Sequence, residues 1–279
     1  MEITIQRNII VDSKQTTPFL ADAFHPKSGS QFPLVIFVHG YKGYKDWGAW
    51  DLVAETFAKN GFYFVKFNFS HNGTTIDQPK HFEDLEGFAN NNYTKELFDL
   101  DSIINHFITQ NQINTSSVTL IGHSRGGGIS IIKASEDIRI NNLILWASVD
   151  TLDRFPKNEA FEEWKNNGVY TTLNGRTKQN MPHYFQFFED YEKNENRLNV
   201  EKALQKYKGH ILIAHGTHDE AVSHQAAINL AEWNNRAELF LVDQGGHTFG
   251  AREPWENQKL PKDLESVVLK SIEFITTRI

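Results

Sequence analysis

A serine flanked by glycines forms the most informative motif in the sequence, Gly122-His123-Ser124-Arg125-Gly126. The motif directly follows the apolar segment 118–121 and opens a segment, 124–135, that is typical of a helix. A nucleophilic serine is held on a sharp strand-to-helix turn, where small residues two positions before and after it allow close backbone approach. Gly-x-Ser-x-Gly is a weak signal by itself, but its strand–turn–helix context is specific. We therefore predict Ser124 as a nucleophile, with a helix N-cap as the alternative interpretation.

Two further residues complete a hydrolytic triad with Ser124. Asp219 lies just beyond the predicted strand 210–214, and His247 lies just beyond the predicted strand 238–242. Functional groups of parallel sheets gather at the carboxyl ends of the strands, so we expect the three side chains to meet there. A histidine accepts the serine proton and a carboxylate holds its imidazole in the required tautomer. We predict His247 as the general base and Asp219 as the acid that orients it.

Other acids could take the place of Asp219. Asp150 and Asp153 follow the predicted strand that ends near residue 147, and some serine hydrolases draw their acid from an equivalent position. Asp243 is close to His247 along the chain, and we interpret it as a loop-capping residue. The prediction favours Asp219 because its motif, His215-Gly216-Thr217-His218-Asp219, is the better match.

Histidines are dense enough near the predicted triad for a metal site to be considered. His215, His218 and His224 accompany Asp219 and His247, but they are divided between a strand end, a loop and a helix. No pair has the helical spacing of a zinc hydrolase motif. The sequence also lacks a Gly-x-Gly-x-x-Gly segment after its first strands and a phosphate-binding loop. We expect neither a metal nor an organic cofactor.

Alternating strand and helix patterns must position these residues. After an opening hairpin, apolar segments alternate with amphipathic ones, which predicts a mostly parallel, twisted sheet of about eight strands flanked by helices. The predicted strands cover residues 3–11, 17–24, 34–38, 62–69, 118–121, 143–147, 210–214 and 238–242. The predicted helices cover residues 47–59, 94–110 and 124–135, a segment capped by Ser223 and a final segment beginning near Pro261.

The segment between residues 147 and 210 is far longer than a strand crossover requires. It is rich in aromatic and charged residues, and we interpret 150–208 as a helical lid inserted into a core domain formed by 1–149 and 209–279. The alternative is that its aromatic side chains simply form a small core of their own.

Taken together, these features resemble the α/β-hydrolase family along almost the whole chain, and in particular its small cytoplasmic esterases and peptidase-like members. The matching residues are His39-Gly40-Tyr41, the 122–127 elbow, His215-Gly216-x-x-Asp219 and Gly246-His247. The resemblance implies an α/β-hydrolase fold and an oxyanion hole formed by the backbone N–H groups of Tyr41 and Arg125. For the side chain of Arg125 we favour a surface ion pair over binding of a substrate carboxylate.

Charge and composition narrow the class of partner. The formal net charge of −7 gives no broad attraction to nucleic acid or anionic membranes, and the absence of cysteine excludes a thiol nucleophile. We therefore expect a protein that binds neither nucleic acid nor membrane and acts on a small-molecule acyl substrate. Residues 1–7 alternate between polar and apolar side chains as a strand does, which is not the pattern of a signal peptide, so we expect a cytoplasmic protein. These features are also compatible with a homodimer.

The function expected from these observations is hydrolysis of carboxylic esters through an acyl-enzyme intermediate. The expected substrates are esters with small to medium apolar or aromatic acyl groups. One alternative is a serine peptidase acting on short peptides, in which acids of the lid or of a loop would bind the amino terminus. These acids are Glu83, Asp84, Glu159, Glu162 and Glu163. Another is a binding protein that keeps the fold without turnover.

Overall fold

The computed structural model describes residues 1–278 and contains one eight-stranded sheet and a separate two-stranded sheet. In chain order the strands are β1 (Ile3–Val11), β2 (Phe19–Pro26), β3 (Phe32–Val38), β4 (Tyr63–Phe67), β5 (Ile113–His123), β6 (Ile140–Trp146), β7 (Val169–Leu173), β8 (Asn180–Tyr184), β9 (His210–Gly216) and β10 (Ala237–Val242). The helices are α1 (Trp50–Lys59), α2 (Leu85–Ala89), α3 (Tyr93–Ile108), α4 (Arg125–Glu136), α5 (Glu159–Asn167), α6 (Gln186–Lys193), α7 (Val200–Lys206), α8 (Gln225–Trp233) and α9 (Lys262–Thr276).

The main sheet has the strand order β1-β2-β4-β3-β5-β6-β9-β10. The β1–β2 and β2–β4 pairs are antiparallel, and all other neighbouring pairs are parallel. The predicted opening hairpin and mostly parallel eight-stranded sheet are therefore confirmed. Because β3, β5, β6, β9 and β10 run parallel, their carboxyl ends share one edge, and the predicted triad residues follow β5, β9 and β10 there.

Helices cover both faces of this sheet, which explains why its inner strands are apolar without alternation. Leu34, Ile36 and Val38 face the core beneath α3, α4, α7 and α8, whereas Val35 and Phe37 face the core beneath α1 and α9. Burial on both faces fixes the register of β3 and β5, and with it the position of the loops that leave them. None of the helices in the described part of the chain combines the length and apolar character needed to cross a bilayer.

The segment between β6 and β9 holds α5, the β7–β8 hairpin, α6 and α7. The sequence predicted a helical segment, but the segment also contains this antiparallel hairpin. Its helix α7 packs against α4 and α8 and completes the crossover to β9. Phe155, Trp164 and Phe187 belong to the same buried cluster as α3 and α4. Phe187 lies 4.8 Å from the ring of Tyr93 on α3, so these aromatics form a core shared with the sheet domain rather than an isolated one.

Candidate active site

Ser124 occupies the turn between β5 and α4 in a strained backbone conformation. Its φ of 55° and ψ of −122° lie outside the regions that residues with a side chain normally adopt. The turn is possible because the residues two positions before and after Ser124 are glycines and carry no Cβ. A Cβ on Gly122 would lie 2.5 Å from the carbonyl oxygen of Gly126, and one on Gly126 would lie 2.2 Å from that of Val38. The strand–turn–helix geometry predicted for this motif is present.

Asp219 and His247 form the hydrogen bond that the triad interpretation requires. The Nδ1–H of His247 donates to Asp219 Oδ2 over 2.7 Å, which leaves Nε2 as the basic nitrogen. The other carboxylate oxygen accepts the backbone N–H groups of Ala221 and Val222 at 2.9 Å each. Burial raises the pKa of Asp219, but the hydrogen bonds from His215 and His247 outweigh it and hold the pKa well below its usual range. The carboxylate is therefore charged and rigidly placed.

The rival acids are engaged elsewhere. Asp150 accepts a hydrogen bond from Asn229, and Asp153 pairs with Lys157 at the surface. Asp243 accepts only a long contact of 3.5 Å from the hydroxyl of Thr217. Within residues 1–278, Asp219 is the only residue whose carboxylate forms a hydrogen bond with His247.

The loop after β3 approaches the serine closely. A Cβ on Gly40 would lie 2.8 Å from the Cβ of Ser124, so only glycine fits there. His39 anchors the loop, because its Nδ1–H donates to the carbonyl of Gly40 and its Nε2 accepts the N–H of Phe69. Burial lowers the pKa of His39 to about 4, which keeps it neutral. It thus serves the loop and not the proton transfer.

The backbone N–H groups of Tyr41 and Arg125 flank this approach. Neither N–H donates to an acceptor anywhere in the described chain. Arg125 is the first residue of α4, where N–H groups have no helical acceptor and the helix dipole favours negative charge. Both N–H groups are therefore free to donate a hydrogen bond, as an oxyanion hole requires.

The side chain of Arg125 does not form the surface ion pair favoured from the sequence. It is 17% exposed and its Nη1 lies 3.4 Å from Oε1 of Glu96, whose side chain is only 4% exposed. The guanidinium also lies 4.2 Å from the ring centre of Tyr41. The ion pair with Glu96 is therefore buried rather than at the surface, and the rings of Tyr93 and Phe187 also lie within 5.6 Å of the guanidinium.

Two cavities meet at Ser124 and His247. The larger one has a volume of about 540 Å³ and the smaller one about 150 Å³. Most residues that line the larger cavity belong to the segment between β6 and β9, and many of the lining residues are aromatic. Besides Ser124 and His247, its lining consists of Tyr41, Tyr93, Arg125, Val149, Arg154, Phe155, Pro156, Trp164, Tyr170, Thr172, His183, Phe187, Ala221 and Val222.

One feature of the site was not expected from the sequence, namely the fixation of Tyr41 by the β7–β8 hairpin. The hydroxyl of Tyr41 lies 2.6 Å from both the hydroxyl of Thr172 and Nε2 of His183. These partners follow Tyr41 by more than a hundred residues, and nothing in their local sequence marks them. Two threonines in a β-rich stretch indicate a strand at most.

The described residues bring one set of potential metal ligands together, and it is remote from the serine. Asp22, Asp46 and Asp51 have oxygen atoms within 4.8 Å of one another. Lys45 and Lys66 each pair with Asp22 and Asp46, so the acidic charge is already balanced by cations. The histidines considered above are not part of this set, and Nε2 of His215 lies 3.2 Å from Asp219 Oδ2.

Comparison with known proteins assigns the family. A family model described as alpha/beta hydrolase fold matches residues 33–198, which is more than half of the chain. The protein therefore belongs to the α/β-hydrolase fold family. No curated protein sequence matches it.

Solved structures show the same fold at low sequence identity. Est1E from Butyrivibrio proteoclasticus with ferulic acid bound is 18% identical, with a TM-score of 0.73 over 96% of this chain and 99% of that chain. The esterase domain of a Rhodothermus marinus protein is 16% identical, with a TM-score of 0.64 over 99% and 100%. The α/β hydrolase GrgF from a Penicillium species is 14% identical, with a TM-score of 0.71 over 99% of each chain.

Proposed function

We propose that the protein is a serine hydrolase that cleaves carboxylic esters through an acyl-enzyme intermediate. The observation that carries the proposal is the 2.7 Å hydrogen bond between His247 and Asp219 beside a strained Ser124 in one shared cavity. A structural serine has no need of a strained turn, a buried carboxylate and an imidazole together, whereas nucleophilic catalysis requires all three.

In the proposed reaction, the hydroxyl of Ser124 attacks the acyl carbon and its proton passes to Nε2 of His247. The N–H groups of Tyr41 and Arg125 stabilise the oxyanion that forms. The imidazolium of His247 returns its proton to the departing alcohol as the ester C–O bond breaks. Water then attacks the acyl-enzyme with the same histidine as base, releasing the acid and regenerating the serine. Asp219 stabilises the imidazolium throughout.

The larger cavity supports small to medium apolar or aromatic acyl groups. Its volume of about 540 Å³ lies within the usual range for small-ligand sites, and its wall includes Phe155, Trp164, Tyr170 and Phe187. The related fold of Est1E has been observed with ferulic acid, an aromatic acid. In this proposal, residues 150–208 act as a lid over the core domain and supply the aromatic wall.

The peptidase alternative receives less support from the cavities. Recognition of a free amino terminus requires a carboxylate, and in the described chain neither cavity is lined by Asp or Glu. The five acids considered for this role therefore lie outside both walls. Ester hydrolysis is the better match to the site.

Two measurements test the proposed function. A fluorophosphonate probe should label the wild-type protein and not Ser124→Ala. A panel of nitrophenyl esters of increasing chain length, aromatic esters and aminoacyl anilides should show turnover of the esters above that of the anilides. Labelling at another residue, or faster cleavage of the anilides, would contradict the proposal.

A further inference from the structure

The larger cavity is positively charged at its wall. Arg125 and Arg154 line it, and within the described chain no carboxylate does. Asp219 lies behind His247 with a fully buried side chain and so contributes no oxygen to the wall. A cavity with two guanidinium groups and no acid favours an anionic ligand.

Arg125 has hydrogen-bond donors to spare. Nη1 is its only nitrogen with an acceptor among residues 1–278, and that contact, to Glu96, is long at 3.4 Å. The rings of Tyr41, Tyr93 and Phe187 have their centres 4.2 to 5.6 Å from the guanidinium. Such packing fixes the orientation of a guanidinium while leaving N–H groups at its edge free to donate.

Arg154 is the less compensated of the two cations. The only hydrogen bond that its side chain makes within the described residues goes to the carbonyl oxygen of Ala221, at 3.3 Å, and the side chain forms no ion pair there. The adjacent Asp153 pairs with Lys157 instead. Glu96 can offset the charge of Arg125, but the charge of Arg154 remains available to a ligand.

The surrounding groups do not cancel this charge. His183 lines the same cavity, and burial together with the charges of Arg125 and Lys42 lowers its pKa to about 3, so it is neutral. Lys42 lies at the smaller cavity and adds a further cation nearby. The charged side chains that line the two cavities are thus all basic.

We infer that the acyl part of the natural substrate carries a carboxylate, which Arg125 and Arg154 bind within the aromatic cavity. This inference rests on the proposed function and narrows its substrate to half-esters of dicarboxylic acids. Water cleaves the remaining ester of such a substrate, giving a dicarboxylate, an alcohol and one proton. Arginine suits this role because its planar donors match the two oxygens of a carboxylate.

The test compares two esters of nearly the same shape, mono(4-nitrophenyl) terephthalate with a carboxylate and 4-nitrophenyl 4-carbamoylbenzoate with a neutral carboxamide in its place. We expect the wild type to have a kcat/KM at least about tenfold higher for the carboxylate, because hydrogen bonds between charged groups are stronger than neutral ones. Arg154→Gln should reduce this ratio by about tenfold. Lys157→Gln is the matched control, because it removes an exposed cation from the same loop without touching the larger cavity.

Arg125→Lys is the second variant, because it retains a cation beside Glu96 but loses the planar fork. It should also lower the ratio, and circular dichroism should confirm its folding. Equal kcat/KM values for the two esters, or a ratio unaffected by both arginine variants, would overturn the inference. So would an equal response of the Lys157→Gln variant.

A binding measurement separates this inference from the proposed function. With Ser124→Ala, calorimetric titration of the same two esters should show at least about tenfold tighter binding of the carboxylate. Equal affinities would overturn the inference even if neutral esters are hydrolysed and Ser124 is labelled. Tighter carboxylate binding without hydrolysis or labelling by the wild type would retain the anion site and contradict the proposed esterase.

Discussion

At the scale of single residues, Ser124 has a strained backbone and is the proposed nucleophile. Its geometry depends on the glycines at 122 and 126 and not on its hydroxyl. We therefore expect Ser124→Ala to fold normally and to lose ester hydrolysis by a factor of about 10³ or more. Ser135→Ala, which changes a half-buried serine at the other end of α4, is the control and should retain activity. Residual turnover by Ser124→Ala above about a hundredth of wild type would place the nucleophile elsewhere.

The acid of the triad is testable against its two rivals. Asp219→Asn removes the charge that fixes the tautomer of His247 and should lower kcat by about 10³ to 10⁴. Asp150→Asn and Asp153→Asn should stay within a few-fold of wild type, because Asp150 binds Asn229 and Asp153 binds Lys157. Steady-state kinetics of the three variants decides the matter, and the reverse ranking would relocate the acid to the loop after β6.

At the scale of elements, the β7–β8 hairpin holds a residue of the proposed oxyanion hole. Thr172→Val removes one of the two hydrogen-bond partners of the Tyr41 hydroxyl while nearly preserving side-chain volume. Looser placement of the Tyr41 N–H should lower kcat several-fold and leave KM nearly unchanged, because that donor acts mainly in the transition state. Thr171→Val, on the exposed side of the same strand, is the matched control. A change in KM alone would assign Thr172 to substrate binding instead.

The elements differ in how far the sequence could predict them. Segments such as Leu34–Val38 are continuously apolar and bounded by turn residues, so the central strands and the loops that follow them were predictable. The strand Val169–Leu173 is exposed along one side, and its polar and apolar residues do not alternate clearly. Its sequence therefore does not distinguish it from the helices of the same segment. The contact of Arg125 with Glu96 and that of Tyr41 with Thr172 depend on how distant segments pack, and periodicity carries no information about this.

At the scale of the whole molecule, a buried charge cluster joins β1, β2, β4 and the loop before α1. Asp22 is fully buried between Lys45 and Lys66 at 2.9 and 3.0 Å. Burial raises the pKa of Asp22, but the charges of Lys66 and Lys45 outweigh it and hold the pKa far below its usual range. Neutralising Asp22 leaves the buried Lys45 and Lys66 to share Asp46, so the core then holds cationic charge that is only partly compensated.

Stability should therefore depend on pH through Asp22. Its folded pKa is depressed, so its contribution is complete above the unfolded pKa of about 4 and is lost as the pH falls below it. Urea unfolding at pH 7 should show Asp22→Asn destabilised by about 3 to 5 kcal/mol. The variant should also lose less stability than wild type between pH 4 and pH 2. Asp12→Asn, at an exposed position, is the control, and matching acid profiles for wild type and Asp22→Asn would refute the assignment.

The close approach of backbone segments around the elbow has a consequence for how this protein can diverge. Even a methyl group at Gly122 or Gly126 would collide with backbone atoms at 2.5 Å or less, so these positions have almost no mutational freedom. The half-buried wall residues Tyr170 and Thr172 come from a hairpin outside the main sheet, where exchange of one side chain leaves the strands of that sheet untouched. New substrate preferences can thus arise in residues 150–208 while the chemistry is inherited unchanged. Saturation mutagenesis should yield altered selectivity from that wall and only inactive proteins from the elbow.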